Sequence, residues 1–504
     1  MEGSGNSKFV FKETFDPKEA VMCESEGDIL KVLKANPDIQ FLRLFFPDLR
    51  GRLCDFSIPR TRVSEKSLKE GLWYDGSSVL GHAREYETDM RAIPIPKTAR
   101  ITPWTYQMNV SGFKNLDHWR ELIVFAGIYK KDFARYEGDS RYALERTLGA
   151  MNKVGANHYY LGPELEFFLF EANGMGRPKI DKQGRPIILD RGSYFMGGAY
   201  GELRKKMQLV MQAMGYYFTV DHHEVAHSQH EVNLQYLDAV EMADAVSLEK
   251  YILKRIAREY VKDGVPTPLF ACFLPKPFKE YEGEKMNGSG MHMHQSLFKD
   301  DINLFENSSK ELELSDVALK FIAGLMGHAR GMSLVLNPGV NSYKRLVPGC
   351  EAPTNICWAG PNRTGAIRIP HGARIEYRSP DPSTNIYLAA AIMLNAGLAG
   401  IINNYEVTPK IRGSVFQMTR EEKRRLSIDE LPGSLEEAIA CAKKDPLVRE
   451  TLGDHLFEKL LIDRTAEWNN YCRSQGRMLR QLRRMFGFKD TGISQFEYGL
   501  MPVV

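Results

Sequence analysis

The ten residues Leu161–Phe170 read LGPELEFFLF, and the faces their side chains share decide the fold. The composition is that of a buried strand, yet Glu164 and Glu166 stand two residues apart near its start. Side chains alternate across a strand, so both carboxylates point to the face of Phe168 and Phe170, while Leu165, Phe167 and Leu169 fill the other. Both faces are apolar once the phenylalanines begin. Two carboxylates about 4 Å apart at an effective dielectric near 20 repel by roughly 4 kcal/mol. A pair of acids at the mouth of a core strand therefore needs a neutraliser.

Three further segments repeat the pattern. In Asp221–Leu234, DHHEVAHSQHEVNL, the candidate carboxylates are Glu224 and Glu231. In Asn287–Phe298, NGSGMHMHQSLF, His292 and His294 alternate with Met291 and Met293. In Gly372–Pro382, GARIEYRSPDP, Arg374, Glu376 and Arg378 alternate with Ile375 and Tyr377. Any one of these reads equally well as an edge strand with its polar side in water. Together they put acids and imidazoles on several core-like strands, which calls for a shared cation. Four or five carboxylates with an imidazole suit a hard, oxygen-preferring ion, Mg²⁺ or Mn²⁺. That many acids exceed one octahedral site once waters are counted, so two ions are expected.

His223-Glu-Val-Ala-His227 matches H-E-x-x-H, a zinc-peptidase motif that requires a helix to bring both histidines to one metal. The surrounding YYFTVDHHEV is aromatic and β-branched and reads as a strand, on which the two histidines lie about 13 Å apart. That separation is too long for one zinc and counts against the peptidase reading, which stays as a minor alternative. There is no Walker-A loop and no G-x-G-x-x-G, so arginines must hold any phosphate groups. Arg345, Arg363 and Arg368 fall in a Gly/Pro-rich stretch, and Arg374 and Arg378 follow. Guanidinium forks match carboxylate and phosphate oxygens. Metals with convergent arginines point to a multiply anionic substrate and to phosphoryl transfer.

The bulk numbers narrow the field. The 504 residues, 43% hydrophobic and 26% charged, allow two or more domains with a large core. A net charge of +3 gives no reason to expect nucleic acid or an anionic membrane as partner. Seven scattered cysteines without a C-x-x-C fit reduced thiols in a cytoplasmic protein. The N-terminus lacks a secretory apolar run, and residues 1–15 read as a flexible tail. The most apolar stretch, Ile386–Ile402, is short for a membrane span; it reads as a buried helix capped by Ser383 or Thr384.

Along the chain, Asp28–Lys34 has helical spacing, and Gln40–Phe46 and Arg52–Ile58 form a strand pair around a turn at Pro47–Gly51. A small mixed domain is expected over 16–125 and a larger α+β domain over 126–504. In the second, strands are expected at Tyr159–Phe170, Tyr216–Asn233, Gly290–Phe298 and Ala366–Arg378. Helices are expected at Ser140–Val154, Leu203–Met214, Ala239–Val261 and Val317–Arg330, with a helical, charge-rich region from Ser434. The basic run Arg477–Arg484 reads as a solvated face or subunit contact.

The segments YDGSS (74–78), GPELEFFLF, HHEVAHSQHE, NGSGMHMH, NSYKRLVPGCEAP, NRTGAIRIP and RIEYRSPDP, in this order, resemble glutamine synthetase. The match runs from about residue 40 to 404, and its wording is similar to the bacterial and archaeal type I enzymes. The resemblance implies a small N-terminal β-grasp domain and a large catalytic domain with a curved antiparallel sheet and flanking helices. It implies a dodecamer of two hexameric rings, with each active site at a subunit boundary. One metal would be held by Glu166, Glu224 and Glu231, the other by Glu164, His292 and Glu376. The implied reaction joins ammonia to the γ-carboxylate of glutamate at the expense of ATP, through γ-glutamyl phosphate.

By the same resemblance, Asn287, Gly288, Arg345 and Arg378 match glutamate-binding positions. His294, Ser296, Arg368 and Arg374 match positions on the nucleotide side, and Arg363 would offset charge on the transferring phosphoryl group. Asp75, Ser78, Tyr194 and Glu351 match the ammonium pocket. Asp75 would take the proton across the subunit boundary, and Glu351 would close the site. Relatives that ligate small alkyl amines or polyamines, and non-catalytic members of the family, are the alternatives; retention of all these anionic groups favours ammonia. Departures from the pattern are Ser228 for a usual Gly, Pro361 beside Arg363, Cys350 for a usual Tyr, His82 for a nucleotide-side aromatic, and Phe416 for a tyrosine that some relatives adenylylate. Arg84 matches an arginine used for glutamine feedback in another subset.

Overall fold

The computed structural model describes residues 10–11, 23–83, 88–107, 118–182, 184–195, 200–349 and 351–485. Arg84, Cys350, the tail expected over 1–15 apart from residues 10 and 11, and the chain from residue 486 onward lie outside them.

The first unit is built on one mixed sheet. Helix α1 (Glu26–Ala35) opens with a capping box in which Ser25 and Asp28 satisfy each other's backbone N–H groups. Strands β1 (Ile39–Pro47) and β2 (Leu53–Pro59) form the expected hairpin, paired from Phe41↔Pro59 to Pro47↔Leu53. Strands β3 (Leu72–Asp75), β4 (Asp89–Pro94) and β5 (Trp104–Gln107) lead to β6 (His118–Tyr129), which runs parallel to β1. The hairpin, the helix and the parallel central pair make the β-grasp arrangement. β6 crosses residue 125 without a break, so the first sheet continues to Tyr129. Ile29, Leu42, Leu44, Leu122 and Val124 form its core.

The second unit follows α2 (Ser140–Leu148) with β7 (His158–Glu171), the strand that carries LGPELEFFLF. Next come α3 (Gly201–Gln212), β8 (Phe218–His223), β9 (Gln229–Leu234), α4 (Ala239–Arg258), β10 (Leu269–Cys272) and β11 (Met291–Lys299). Helices α5 (Asp316–Gly327), α6 (Ala329–Leu336) and α7 (Ser342–Arg345) precede β12 (Ile367–Arg368) and β13 (Ile375–Tyr377). Then α8 (Ile386–Ile402), α9 (Leu435–Lys444), α10 (Pro446–Leu452) and α11 (Asp454–Met485) complete the chain. The sheet order is β8-β9-β7-β11-β13-β12, with β10 also on β7.

Four expectations are corrected. Tyr216–Asn233 is a hairpin, not one strand; the chain turns at Glu224–Ser228, with Ser228 at φ 58°. Ala366–Arg378 is likewise two short strands, broken around Pro370–Gly372. The helix expected over Val317–Arg330 is interrupted at His328. The cap of α8 is Asn385, whose side chain accepts the Tyr387 and Leu388 N–H groups. Ser383 and Thr384 bond instead to Asp381 and the Val335 carbonyl.

The inner face of β7 (Leu165, Phe167, Leu169) packs with Met291, Met293 and α8 into the main core. Thirteen of the seventeen α8 residues are buried, so the helix is apolar all round because protein surrounds it. Where α5 crosses α8, a Cβ on Gly324 would lie 2.0 Å from the Ala396 carbonyl, so the two backbones meet only through glycine. Among the described residues no helix is long and apolar enough to cross a membrane.

Candidate active site

Strand register brings the acids together. In an antiparallel sheet, residues directly opposite share a face. Glu231 is opposite Glu166, and Asn233 is opposite Glu164 across β9–β7. His292 is opposite Glu164 across β11–β7, and Glu376 is opposite His294 across β13–β11. One face of four adjacent strands thus presents Glu164, Glu166, Glu231, His292, His294 and Glu376. Glu224 reaches the same face from the first residue after β8.

All of these groups except His294 line a cavity of about 230 Å³ together with Tyr194, Asn287, Gly288, Arg345, Glu351, Arg363, Arg368 and Arg378. A second cavity of about 380 Å³ shares Glu164 and Asn233 with it. That cavity is lined by His294, Ser296 and Arg374 with the aromatic side chains of Tyr160, Tyr236 and Phe298. Every site residue expected from the sequence borders one of the two cavities except Asp75 and Ser78. Those two lie exposed after β3, where Asp75 accepts from the Ser77 N–H at 2.9 Å and from the Ser78 hydroxyl at 2.9 Å.

The electrostatics define two acidic sub-clusters. Ligand atoms of Glu164, His294 and Glu376 lie within 4.8 Å of one another, as do those of His222, Glu224 and Glu231. His292 Nδ1 and His294 Nε2 each lie 2.8 Å from a Glu164 oxygen. Burial opposes the Glu164 charge, but the two imidazoles hold its carboxyl well below the usual range. Burial and the neighbouring Glu224 and Glu231 drive Glu166 well above that range. Burial and Glu231 push Glu224 up to about 8. Glu376 is held by Arg368 at 2.6 Å and Arg378 at 3.0 Å.

Two buried oxygens beside the acids, Oε1 of Gln229 and Oδ1 of Asn233, have no hydrogen-bond partner among the described residues. A hard divalent cation fits this donor set: it removes the carboxylate repulsion and takes oxygen ligands. The backbone is shaped to the cluster. A Cβ on Gly290 would lie 2.7 Å from both the Arg345 guanidinium and the His292 ring, while the Gly290 N–H reaches Glu166 at 3.0 Å.

The His223-Glu-Val-Ala-His227 motif lies at the strand end and turn of the β8–β9 hairpin, with no helix to align its histidines. A third cluster, Asp190, His223 and His230, is geometrically close enough for a metal. Arg204 donates to His230 Nδ1 at 2.7 Å, and arginine cannot accept, so His230 must carry its proton on Nε2. That nitrogen then has no lone pair for a metal, and this cluster is a polar brace. Ser228 completes the brace: its hydroxyl accepts the Leu189 N–H at 2.7 Å, and its N–H donates to Asp190 at 3.2 Å. Ser228 holds a φ of 58°, in the left-handed region that favours glycine.

Sequence reading missed His222 and Gln229. His222 lies opposite Glu231, with Nε2 3.5 Å from its carboxylate, and its spacing of two from Glu224 was the available sign. Gln229 donates to Glu166 at 2.8 Å. His82 is buried in the first core, bonded to the Tyr74 hydroxyl at 2.8 Å, and borders neither cavity.

The glutamine synthetase catalytic-domain profile matches residues 137–481, and the glutamine synthetase β-grasp profile matches residues 38–114. The chain belongs to the glutamine synthetase family. It is 41% identical over 454 residues to the glutamine synthetase of Thermus thermophilus, covering 89% of this chain and 96% of the relative. It is 38% identical to that of Thermotoga maritima over 88% of this chain and 96% of the relative. The glutamine synthetase of Methanosarcina mazei is 37% identical over 89% and 95%. Among solved structures, a GmaS–ADP complex has a TM-score of 0.74 at 27% identity, covering 88% of this chain and 96% of that one. A Plasmodium falciparum glutamine synthetase structure shares the fold, with a TM-score of 0.74 at 20% identity over 90% and 98%.

Proposed function

We propose that the chain carries out ATP-dependent ligation of ammonia to the γ-carboxylate of L-glutamate, releasing L-glutamine, ADP and phosphate. The observation that carries this reading is the continuity of an acidic, arginine-rich cavity with an aromatic-lined one. The first suits a carboxylate substrate and a phosphoryl group; the second suits a nucleotide base. Divalent ions, Mg²⁺ or Mn²⁺, would be held by Glu166, Glu224 and Glu231 on one side and by Glu164, His292 and Glu376 on the other. When bound they would neutralise these acids and draw charge from the phosphate oxygens. His222 is an added candidate ligand beside Glu224 and Glu231.

In this reading Arg345 and Arg378, with Asn287 and Gly288, orient glutamate so that its γ-carboxylate faces the γ-phosphorus. Arg368 and Arg374, with His294 and Ser296, hold the nucleotide. A glutamate oxygen attacks the phosphorus and ADP leaves. Arg363 stabilises the negative charge on the transferring group. Ammonium loses a proton to Asp75, whose carboxyl is held low and ionised by the Ser77 and Ser78 hydroxyls. Ammonia attacks the acyl carbon, and phosphate departs with one former carboxylate oxygen and the second proton that the nitrogen must lose to become the amide. Tyr194 and Glu351 flank the amine and exclude water.

Asp75 and Ser78 do not border the acidic cavity of their own chain, which supports a site completed by a neighbouring copy. A dodecamer of two hexameric rings follows from the family resemblance. A cytoplasmic setting agrees with the six described cysteines, all free thiols.

The test is ADP release with glutamate, ATP and Mg²⁺, comparing ammonium with methylamine, ethylamine and polyamines. Turnover is expected with ammonium, weaker with the amines. Turnover only with a larger amine would overturn the proposal, and none with any amine would leave a non-catalytic family member.

A further inference from the structure

Away from the two reaction cavities lies a larger one of about 430 Å³. It sits between the β1–β2 turn of the first unit, α4, β10, and the Leu460–Glu467 part of α11. Its walls are largely apolar, with Leu49, Phe270, Phe273, Val335, Leu388 and Leu460. Five cationic side chains nevertheless border it. The three arginines are each in an ion pair: Arg50 with Asp463 at 2.8 Å, Arg52 with Asp48 at 2.6 Å, and Arg464 with Glu467 at 2.7 Å.

The two lysines have no ion-pair partner among the described residues. Lys250 and Lys254 lie one turn apart on α4, where like charges oppose each other. Their ammonium groups converge on a single ring, 5.9 and 5.8 Å from the Phe273 centroid. Lys250 donates to the Pro382 carbonyl at 2.7 Å, and Lys254 has no carboxylate or hydrogen-bond partner among the described residues. Asp381, whose charge favours the Lys250 ammonium, accepts from Asn337 and Ser383, and Asp48, which acts in the same sense on Lys254, is paired with Arg52. Glu249 is buried, and burial holds its carboxyl well above the usual range. Burial pushes both ammonium groups down to about 8, with each cation's basic neighbour adding to the effect. A largely apolar chamber bordered by two cations without ion-pair partners is the complement of an oxyanion on an apolar body.

We propose that this cavity binds a small organic anion, a carboxylate or a phosphate monoester on an apolar group, with Lys250 and Lys254 gripping the oxyanion beside Phe273. The cavity shares a wall with the acidic one. Pro275 borders it and accepts the Ser289 N–H at 2.7 Å, and Ser289 immediately precedes Gly290, the glycine that approaches Glu166. Asn341 also borders it and immediately precedes α7, which carries Arg345. A ligand here is therefore placed to act on the glutamate side of the reaction site without entering it. The assignment rests on this cavity alone and is independent of the reaction proposed above.

The test is crystallographic and calorimetric, on the full chain, with 4-bromobenzoate and 4-bromophenyl phosphate as probes and 4-bromobenzyl alcohol as the uncharged control. Anomalous bromine density is expected inside this cavity for an anionic probe, and the better of the two identifies the oxyanion class. Affinity should fall about tenfold in Lys254→Gln, with melting temperature and basal turnover unchanged. Lys250→Gln should weaken binding in the same direction, which guards against a folding artefact in either variant. Density confined to the reaction cavities would overturn the proposal. So would equal binding of the alcohol, or unchanged affinity in both lysine variants.

Discussion

At the scale of single residues, the site's behaviour turns on acids that cannot all be ionised without a cation. Glu224 is pushed up to about 8 and Glu166 is raised well above the usual carboxylate range, both by burial and by neighbouring carboxylates. A carboxyl whose folded value lies above its unfolded one binds more protons in the folded state, so metal-free stability falls as pH rises from about 4.5 to 8. The metal-free chain should therefore melt at progressively lower temperature from pH 5 to 8.5, and Mg²⁺ should remove most of that slope. A pH series of melts with and without Mg²⁺ checks this; a metal-free melt that rises with pH contradicts it. Glu166→Gln should raise the metal-free melting temperature at pH 8 while lowering turnover more than about a hundredfold. Both are read from the same preparation, by thermal melt and by ADP release.

At the scale of elements, the strands owe their places to alternation, and most were legible from it. LGPELEFFLF announces a strand with two distinct faces, and the helices at Gly201–Gln212 and Ala239–Arg258 follow their apolar spacing. The β8–β9 turn was hidden because Val225 and Ala226 continue an apolar pattern, and because Ser228 holds the positive φ that a glycine would have advertised. The α8 cap was misassigned because Ser383 and Thr384 satisfy other partners. Alternation gave each acid a face but no partner; only register sets Glu231 against Glu166 and His292 against Glu164. The α5–α8 crossing gives the element-scale prediction. Gly324→Ala drives a Cβ into the Ala396 carbonyl, and should cost at least about 1–3 kcal/mol in denaturant unfolding. A change within 0.5 kcal/mol, roughly the scatter of surface substitutions, contradicts the packing.

At the scale of the whole molecule, one chain holds an acidic cavity bordered by Tyr194 and Glu351 and, elsewhere, Asp75 and Ser78, the other two residues matched to an ammonium pocket. If Asp75 serves a neighbouring copy, two inactive variants should rescue each other. Asp75→Asn and Arg345→Ala, denatured together and reassembled, should recover a fraction of wild-type turnover, because some boundaries then pair two intact halves. Recovery no greater than the sum of the separate variants contradicts a shared site. The most direct test of the reaction itself follows an oxygen atom. Glutamate carrying ¹⁸O in its γ-carboxylate is turned over with ATP, ammonium and Mg²⁺, and the products are weighed by mass spectrometry. One labelled oxygen should leave in phosphate for each labelled glutamine formed; phosphate free of the label would contradict passage through γ-glutamyl phosphate.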